Sequence, residues 1–231
     1  MVDEYLDERE QAEQLKNWFK ENWLWLVAGV GLGLGGLFGF RAWEGHLDRR
    51  SQEAAAQFAQ MLETIDSQGP EAGLALVDPL VEKYGKTPYA DQARLVAARV
   101  HVDAGRLDEA AARLRQVMEG SKDPELALVA SLRLARVESA AGRHDAALAL
   151  LDRAQAPAIA GRVDELRGDV LFAKGDRDGA LAAYRRARDA AAGPEAAGMT
   201  DPELLALKID ALEGPAPAEA APPAPSPAAG E

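Results

Sequence analysis

An all-α chain is predicted, with a single N-terminal transmembrane helix followed by a solenoid of three to four helical hairpins. Three observations predict it. An uncharged run of eighteen residues, 23–40 (WLWLVAGVGLGLGGLFGF), interrupts a chain in which 28% of residues are charged. Everything C-terminal to it is rich in Ala, Leu and Arg, with strand-like alternation almost nowhere. Within that part a glycine-centred pattern recurs, at Gly105, Gly142 and Gly175.

Residues 1–22 are an acidic segment, seven acids against Arg9, Lys16 and Lys20. Leu15, Trp18, Phe19 and Trp23 recur in it at spacings of three and four, which predicts a short interfacial helix running into the membrane. The span itself is assigned to 23–43. At ~1.5 Å per residue the uncharged run covers about 27 Å, close to the hydrocarbon thickness of a bilayer. Trp18, Phe19, Trp23 and Trp25 crowd one end and Phe38, Phe40 and Trp43 the other, where ring side chains favour the headgroup region. A soluble core helix this apolar needs burial on all sides, and the rest of the chain offers no equally apolar surface. A cleaved signal peptide needs a short basic start and a small-residue cleavage site. Here the start is long and acidic, and RAWE follows the run. The segment therefore reads as an uncleaved anchor.

Its direction is not set by charge. Arg9, Lys16 and Lys20 on one side balance Arg41, Arg49 and Arg50 on the other, a tie under the positive-inside rule. Two considerations favour the N-terminus inside: an uncleaved anchor explains export of a domain, and the Pro/Ala tail has a composition often seen outside the cytoplasm. Gly31, Gly35 and Gly39 fall on one face as overlapping G-x-x-x-G motifs, with Gly29, Gly33 and Gly36 nearby. Small residues at this spacing let a second helix approach closely in lipid, which predicts contact either with a second copy of this chain or with another membrane protein.

Residues 44–212 form the repeat domain. VDAGRLDEAA (102–111), SAAGRHDAAL (139–148) and FAKGDRDGAL (172–181) align on their glycines. Asp108, Asp145 and Asp178 keep one offset, and Ala110, Ala147 and Ala180 another. A period near 34 residues with a glycine turn between two helices is the mark of tetratricopeptide-type repeats. The glycine ends the first helix in a conformation other residues resist, and the aspartate is expected to cap the second. The small alanines admit the partner helix, and Leu114, Leu151 and Tyr184, four residues on, fill the space between. Gly168 matches the small position seven residues before its turn. The opening aromatic and regular closing proline of such repeats are missing; Pro124, Pro157 and Pro194 punctuate the units at slightly different places. An earlier pair, about 52–67 and 71–84 around Gly69, reads as an atypical capping unit. A last helix is expected near 202–212. The segment 213–231, with six prolines, is expected to be disordered.

Several function classes are excluded. Without cysteine there is no thiol catalysis, thiolate metal site or disulfide. A net charge of −12 with no basic cluster argues against general nucleic-acid binding. His46, His101 and His144 lie far apart, outside any metal-ligand spacing. No nucleophile elbow, P-loop or dinucleotide fingerprint occurs, so neither an enzyme nor a cofactor is expected. Paired acids such as Asp108 and Glu109 sit at helix starts, where they complement the dipole. Stacked hairpins instead present a concave face lined by the first helix of each pair. In register with the turns, its candidates are Leu95, Arg99 and Val102, then Val129, Leu132 and Arg136, then Glu165, Asp169 and Phe172. This mixed lining suits an extended peptide or a partner's helix. Clamps for a peptide carboxyl terminus use Lys and Asn on these helices, and no Asn occurs after Asn22.

An acidic start with QAEQLKNWFKEN (11–22), a Gly-rich anchor, then RAW (41–43) and His46 lead into repeats containing LRLAR (132–136) and LRGD (166–169). In this order the chain resembles the YfgM family of proteobacterial inner-membrane proteins, ancillary subunits of the SecYEG translocon, over about residues 1–212. The resemblance implies a cytoplasmic N-terminus, a periplasmic repeat domain, and association with SecYEG and the membrane-anchored chaperone PpiD near emerging chains. It transfers no catalytic residue. A translocon-bound interaction module is thus the leading expectation. The alternatives are a scaffold for envelope assembly or division, and a regulator acting through the N-terminus.

Overall fold

The structure is a computed structural model that describes residues 2–154, 157–191 and 200–214. Pro194 and nearly all of the Pro/Ala tail, expected to be disordered, lie outside the described residues. Among those described, the regular structure is helical, and the chain divides into two units, Met1–Gln57 and Phe58–Glu231.

The first unit belongs to α1 (Val2–Gln68). Its eighteen-residue apolar window has a mean hydropathy of 1.7, and none of it is buried. Trp25 and Leu32 are 77% and 78% exposed, which removes the alternative of a helix enclosed in a soluble core. The helix is long and apolar enough to cross a membrane. Trp18 and Phe19 meet edge-on at one end, with ring centroids 5.5 Å apart; Phe40 and Trp43 lie 6.4 Å apart at the other. Asn22, just before the apolar run, turns its amide back to the Trp18 carbonyl at 2.9 Å and so brings part of its own hydrogen-bonding need into the helix.

The second unit is a stack of antiparallel helix pairs. The end of α1 packs at Ile65 against Gly73 of α2 (Pro70–Leu74), which leads into α3 (Val77–Tyr84) to complete the first pair; α4 (Pro88–Asp103) pairs with α5 (Leu107–Gly120), α6 (Pro124–Ala140) with α7 (His144–Arg153), and α8 (Ala160–Lys174) with α9 (Arg177–Ala191). A lone α10 (Pro202–Glu213) packs on α9 and closes the stack. Proline opens α4, α6 and α10 at the position where its missing N–H costs nothing. Asp123 and Asp201 cap the latter two: Asp123 accepts from the Glu125 and Leu126 amides at 2.9 and 3.2 Å, and Asp201 from Glu203 and Leu204.

The turns within pairs follow one chemistry. Gly105, Gly142 and Gly175 take φ of 72°, 77° and 91°, where a side chain is strained. The glycine amide bonds the carbonyl three residues back and the next amide reaches five back, as in Arg106 to His101 at 2.8 Å, which closes each helix end with a Schellman motif. Gly69, in the atypical first pair, has φ 96° as well.

One expectation is corrected. Asp108 and Asp145 do not cap their helices; they lie one residue inside, in the first turn, and the cap positions Arg106 and Arg143 make no side-chain cap. In the α8/α9 pair Asp176, not Asp178, accepts the capping bond, from Gly179 at 2.9 Å. The first-turn acids instead reach the next repeat. Glu71 pairs with Arg106 at 2.6 Å, Asp108 with Arg143 at 2.9 Å, and Asp145 with Lys174 at 2.6 Å. These bonds run between repeats, so a cap consensus cannot reveal them. Each pair is more than half exposed on its acidic side and is screened by solvent, so the ladder sets register more than stability.

Burial provides the larger stabilisation. One core cluster joins α4, α5 and α6 through Leu95, Ala98, Ala110, Leu114 and Leu134. A second joins α6, α7 and α8 through Ala135, Ala147, Leu151, Leu166 and Val170. A third joins α9 and α10 through Ala180, Tyr184, Leu205 and Ile209. Each cluster crosses a boundary between successive helices, so no hairpin completes its core alone.

Candidate interaction site

Stacking the pairs sets α4 beside α6, each the first helix of its repeat. Between them runs a groove of about 450 Å³. Its floor is apolar: Leu95, Ala98 and Val102 from α4, Leu114 from α5, and Val137 from α6. Its rim is cationic, with Arg99 on one side and Arg133 and Arg136 on the other. Arg99 holds Asp103 one turn along at 2.8 Å. A second recess, about 410 Å³, is lined by Asp169, Phe172, Arg177, Tyr184, Lys208 and the end of α10.

Four of the nine sequence candidates, Leu95, Arg99, Val102 and Arg136, therefore come together in the first groove, and two, Asp169 and Phe172, in the second recess. Phe172 is half exposed there. Leu132 packs against the second core cluster, Val129 is exposed but lines neither recess, and Glu165 is buried beneath an ion network.

That network defines the electrostatics at the C-terminal end. Lys208, one turn before the end of α10, reaches both Glu165 at 2.9 Å and Asp169 at 2.7 Å. Arg162 adds a second bond to Glu165 at 2.8 Å, and the Tyr184 hydroxyl donates to Asp169 at 2.8 Å. Burial on its own raises the Glu165 carboxyl, but Lys208 and Arg162 outweigh it and hold the group below the usual carboxylate range. Burial likewise opposes the Lys208 charge, and the two carboxylates more than compensate. Burial and then Asp169 push the Tyr184 phenol far up, so it stays a donor. These acids are thus engaged internally, which leaves a partner little to bind. Lys208 lies 39 residues from Asp169 in sequence and was invisible as part of the site. Arg133 was missed as well, although its spacing of three from Arg136 was a usable signal.

In the anchor helix, a Cβ built on Gly31, Gly35 or Gly39 meets no atom within 4 Å.

Comparison with known proteins bears on these features. Residues 16–214 match the tetratricopeptide repeat-like domain family. The ancillary SecYEG translocon subunit of Escherichia coli K12 is 35% identical over 183 residues, covering 78% of this chain and 86% of its own length. This chain belongs to that family of ancillary subunits. The Haemophilus influenzae member is 31% identical, covering 79% of this chain and 89% of its own. The Neisseria gonorrhoeae member is 30% identical, covering 90% and 99%.

Proposed function

We propose that this chain is a non-enzymatic, membrane-tethered interaction module at the SecYEG translocon. The observation that carries the reading is the pairing, in this chain, of an exposed apolar helix of spanning length with a tetratricopeptide-like stack, together with its likeness to relatives named as ancillary subunits of that translocon. In this reading the N-terminus lies in the cytoplasm and the repeats lie in the periplasm. There they hold a membrane-anchored chaperone of the PpiD kind close to chains leaving the channel. The face formed by Gly31, Gly35 and Gly39 serves as a helix-packing surface in the bilayer, where close backbone approach drives association. Gly105, Gly142 and Gly175 set the angle of each hairpin, and the grooves beside α4 and α8 take partner segments. The test is co-purification with SecY in mild detergent, with photo-crosslinkers placed along residues 23–43 and at Arg99 and Phe172. Crosslinks to translocon or chaperone subunits are expected. If none forms at any position, or a C-terminal reporter reads cytoplasmic, the reading fails.

A further inference from the structure

The groove between α4 and α6 carries a charge imbalance at odds with the rest of the chain. The protein has a net charge of −12, and most repeat arginines are matched to acids, among them Arg94 to Asp91, Arg106 to Glu71, Arg113 to Asp78, Arg115 to Glu138, and Arg167 to Asp152. Arg177 instead donates to two carbonyls of α10, and Arg153, which does not line this groove, pairs with no described acid. Arg133 and Arg136 are exceptions. Neither makes an ion pair or hydrogen bond with any described residue. They stand three apart on one face of α6, with Arg99 facing them across the groove.

Like charges at this spacing repel, so the arrangement costs stability in the free protein. Arg136 is also partly desolvated: burial lowers its pKa, Arg162 adds to that, and Asp169 and Glu165 pull the other way. Those two acids cannot relieve it by direct contact, because Lys208, Arg162 and Tyr184 already occupy them. Two guanidinium groups with no carboxylate partner, set on the rim of an apolar floor, form a preorganised acceptor for a ligand that brings both acids and apolar side chains.

Accepting that the chain is an interaction module, we propose that this groove binds a protein segment whose apolar residues are flanked by Asp or Glu. The apolar residues seat on Leu95, Val102 and Val137, and the carboxylates bridge Arg133 and Arg136. The arginines confer sign selectivity, and the floor supplies most of the contact area. A basic segment meets repulsion at the rim and is rejected.

The experiment uses the full chain in nanodiscs of zwitterionic lipid. The probe is a fluorescein-labelled amphipathic peptide with leucines on one helical face and glutamates flanking them, compared with the same peptide carrying lysines. Fluorescence anisotropy is expected to show binding of the acidic peptide alone, weakened by added salt. The double variant Arg133→Glu/Arg136→Glu should lose roughly tenfold or more in affinity for the acidic peptide and gain affinity for the basic one. That inversion is a readout that misfolding does not produce. Val102→Asp, at an exposed floor position, should weaken both pairings. Equal binding of the two peptides by the wild type, or an unchanged preference in the double variant, overturns the proposal. So does displacement of the peptide by soluble short-chain phosphatidylglycerol at lower concentration than by unlabelled peptide, which assigns the groove to lipid. SecY co-purification is scored in parallel with the wild type. Its persistence without peptide selectivity sinks only the groove assignment, and its absence with selectivity intact sinks only the translocon reading.

Discussion

Gly168→Ala tests the packing logic of the repeats most directly. A Cβ at Gly168 would stand 2.4 Å from two carbons of the Tyr184 ring and 2.9 Å from a third. Carbon atoms pack at ~3.5–4.0 Å, so the overlap is about 1 Å. The ring has little freedom to yield, being 3% exposed with its hydroxyl bonded to Asp169 at 2.8 Å. Overpacking of this kind costs ~1–3 kcal/mol, and a clash this deep lies in the upper half of that range. Replacing glycine inside a helix returns ~1 kcal/mol, which leaves a net loss of about 1–2 kcal/mol. The other repeats show what relieves the clash: Ala98 shares its cluster with Leu114, and Ala135 shares its own with Leu151. The repeat that carries glycine is the one that carries tyrosine. In a Tyr184→Leu background, Gly168→Ala should therefore be neutral or stabilising. Thermal unfolding followed by circular dichroism on the four members of this cycle should give a coupling of ~1–3 kcal/mol. If Gly168→Ala raises stability with Tyr184 present, or shifts it equally in both backgrounds, the packing argument is wrong.

Three further outcomes are expected. Gly142→Val forces a β-branched residue to φ 77° and should cost roughly 1 kcal/mol or more in denaturant unfolding, whereas Gly31→Val, outside the repeats, should not. His101 accepts a bond from Arg106 at 3.0 Å, and burial, then Arg106 and Arg113, hold its pKa below the ordinary value of about 6.5. Because the folded value lies below the unfolded one, its contribution is complete above that pH and is lost as pH falls; His101→Gln should flatten stability against pH on the acid side of neutrality. Gly35→Leu should reduce crosslinking to membrane partners and leave the unfolding of the repeats unchanged; undiminished partner capture would discount the glycine face.

How far the primary structure could be read depended on the range of each interaction. The turn glycines, the alanines opposite them and the Leu, Leu, Tyr series were legible because they follow from local steric demands repeated at a fixed period. The aspartates after the turns were misread for the opposite reason. Asp108 lies one position inside its helix, and its partner Arg143 is 35 residues away, which local spacing does not encode. The α4/α6 groove was half legible: Leu95, Arg99, Val102 and Arg136 followed from register, and Arg133 did not. Glu165 looked presentable to a ligand until Lys208 of α10 covered it.

By itself the sequence determined that this is an anchored, helical, repeat-built chain, because hydropathy over one bilayer thickness and glycine at a left-handed turn are properties of short segments. Only the tertiary structure decided which charges are spent inside and which remain to meet a partner. Compensation of a charge depends on what folds against it: Asp169 and Glu165 are engaged from α8, α9 and α10 at once, and Arg133 and Arg136 are left beside an apolar floor.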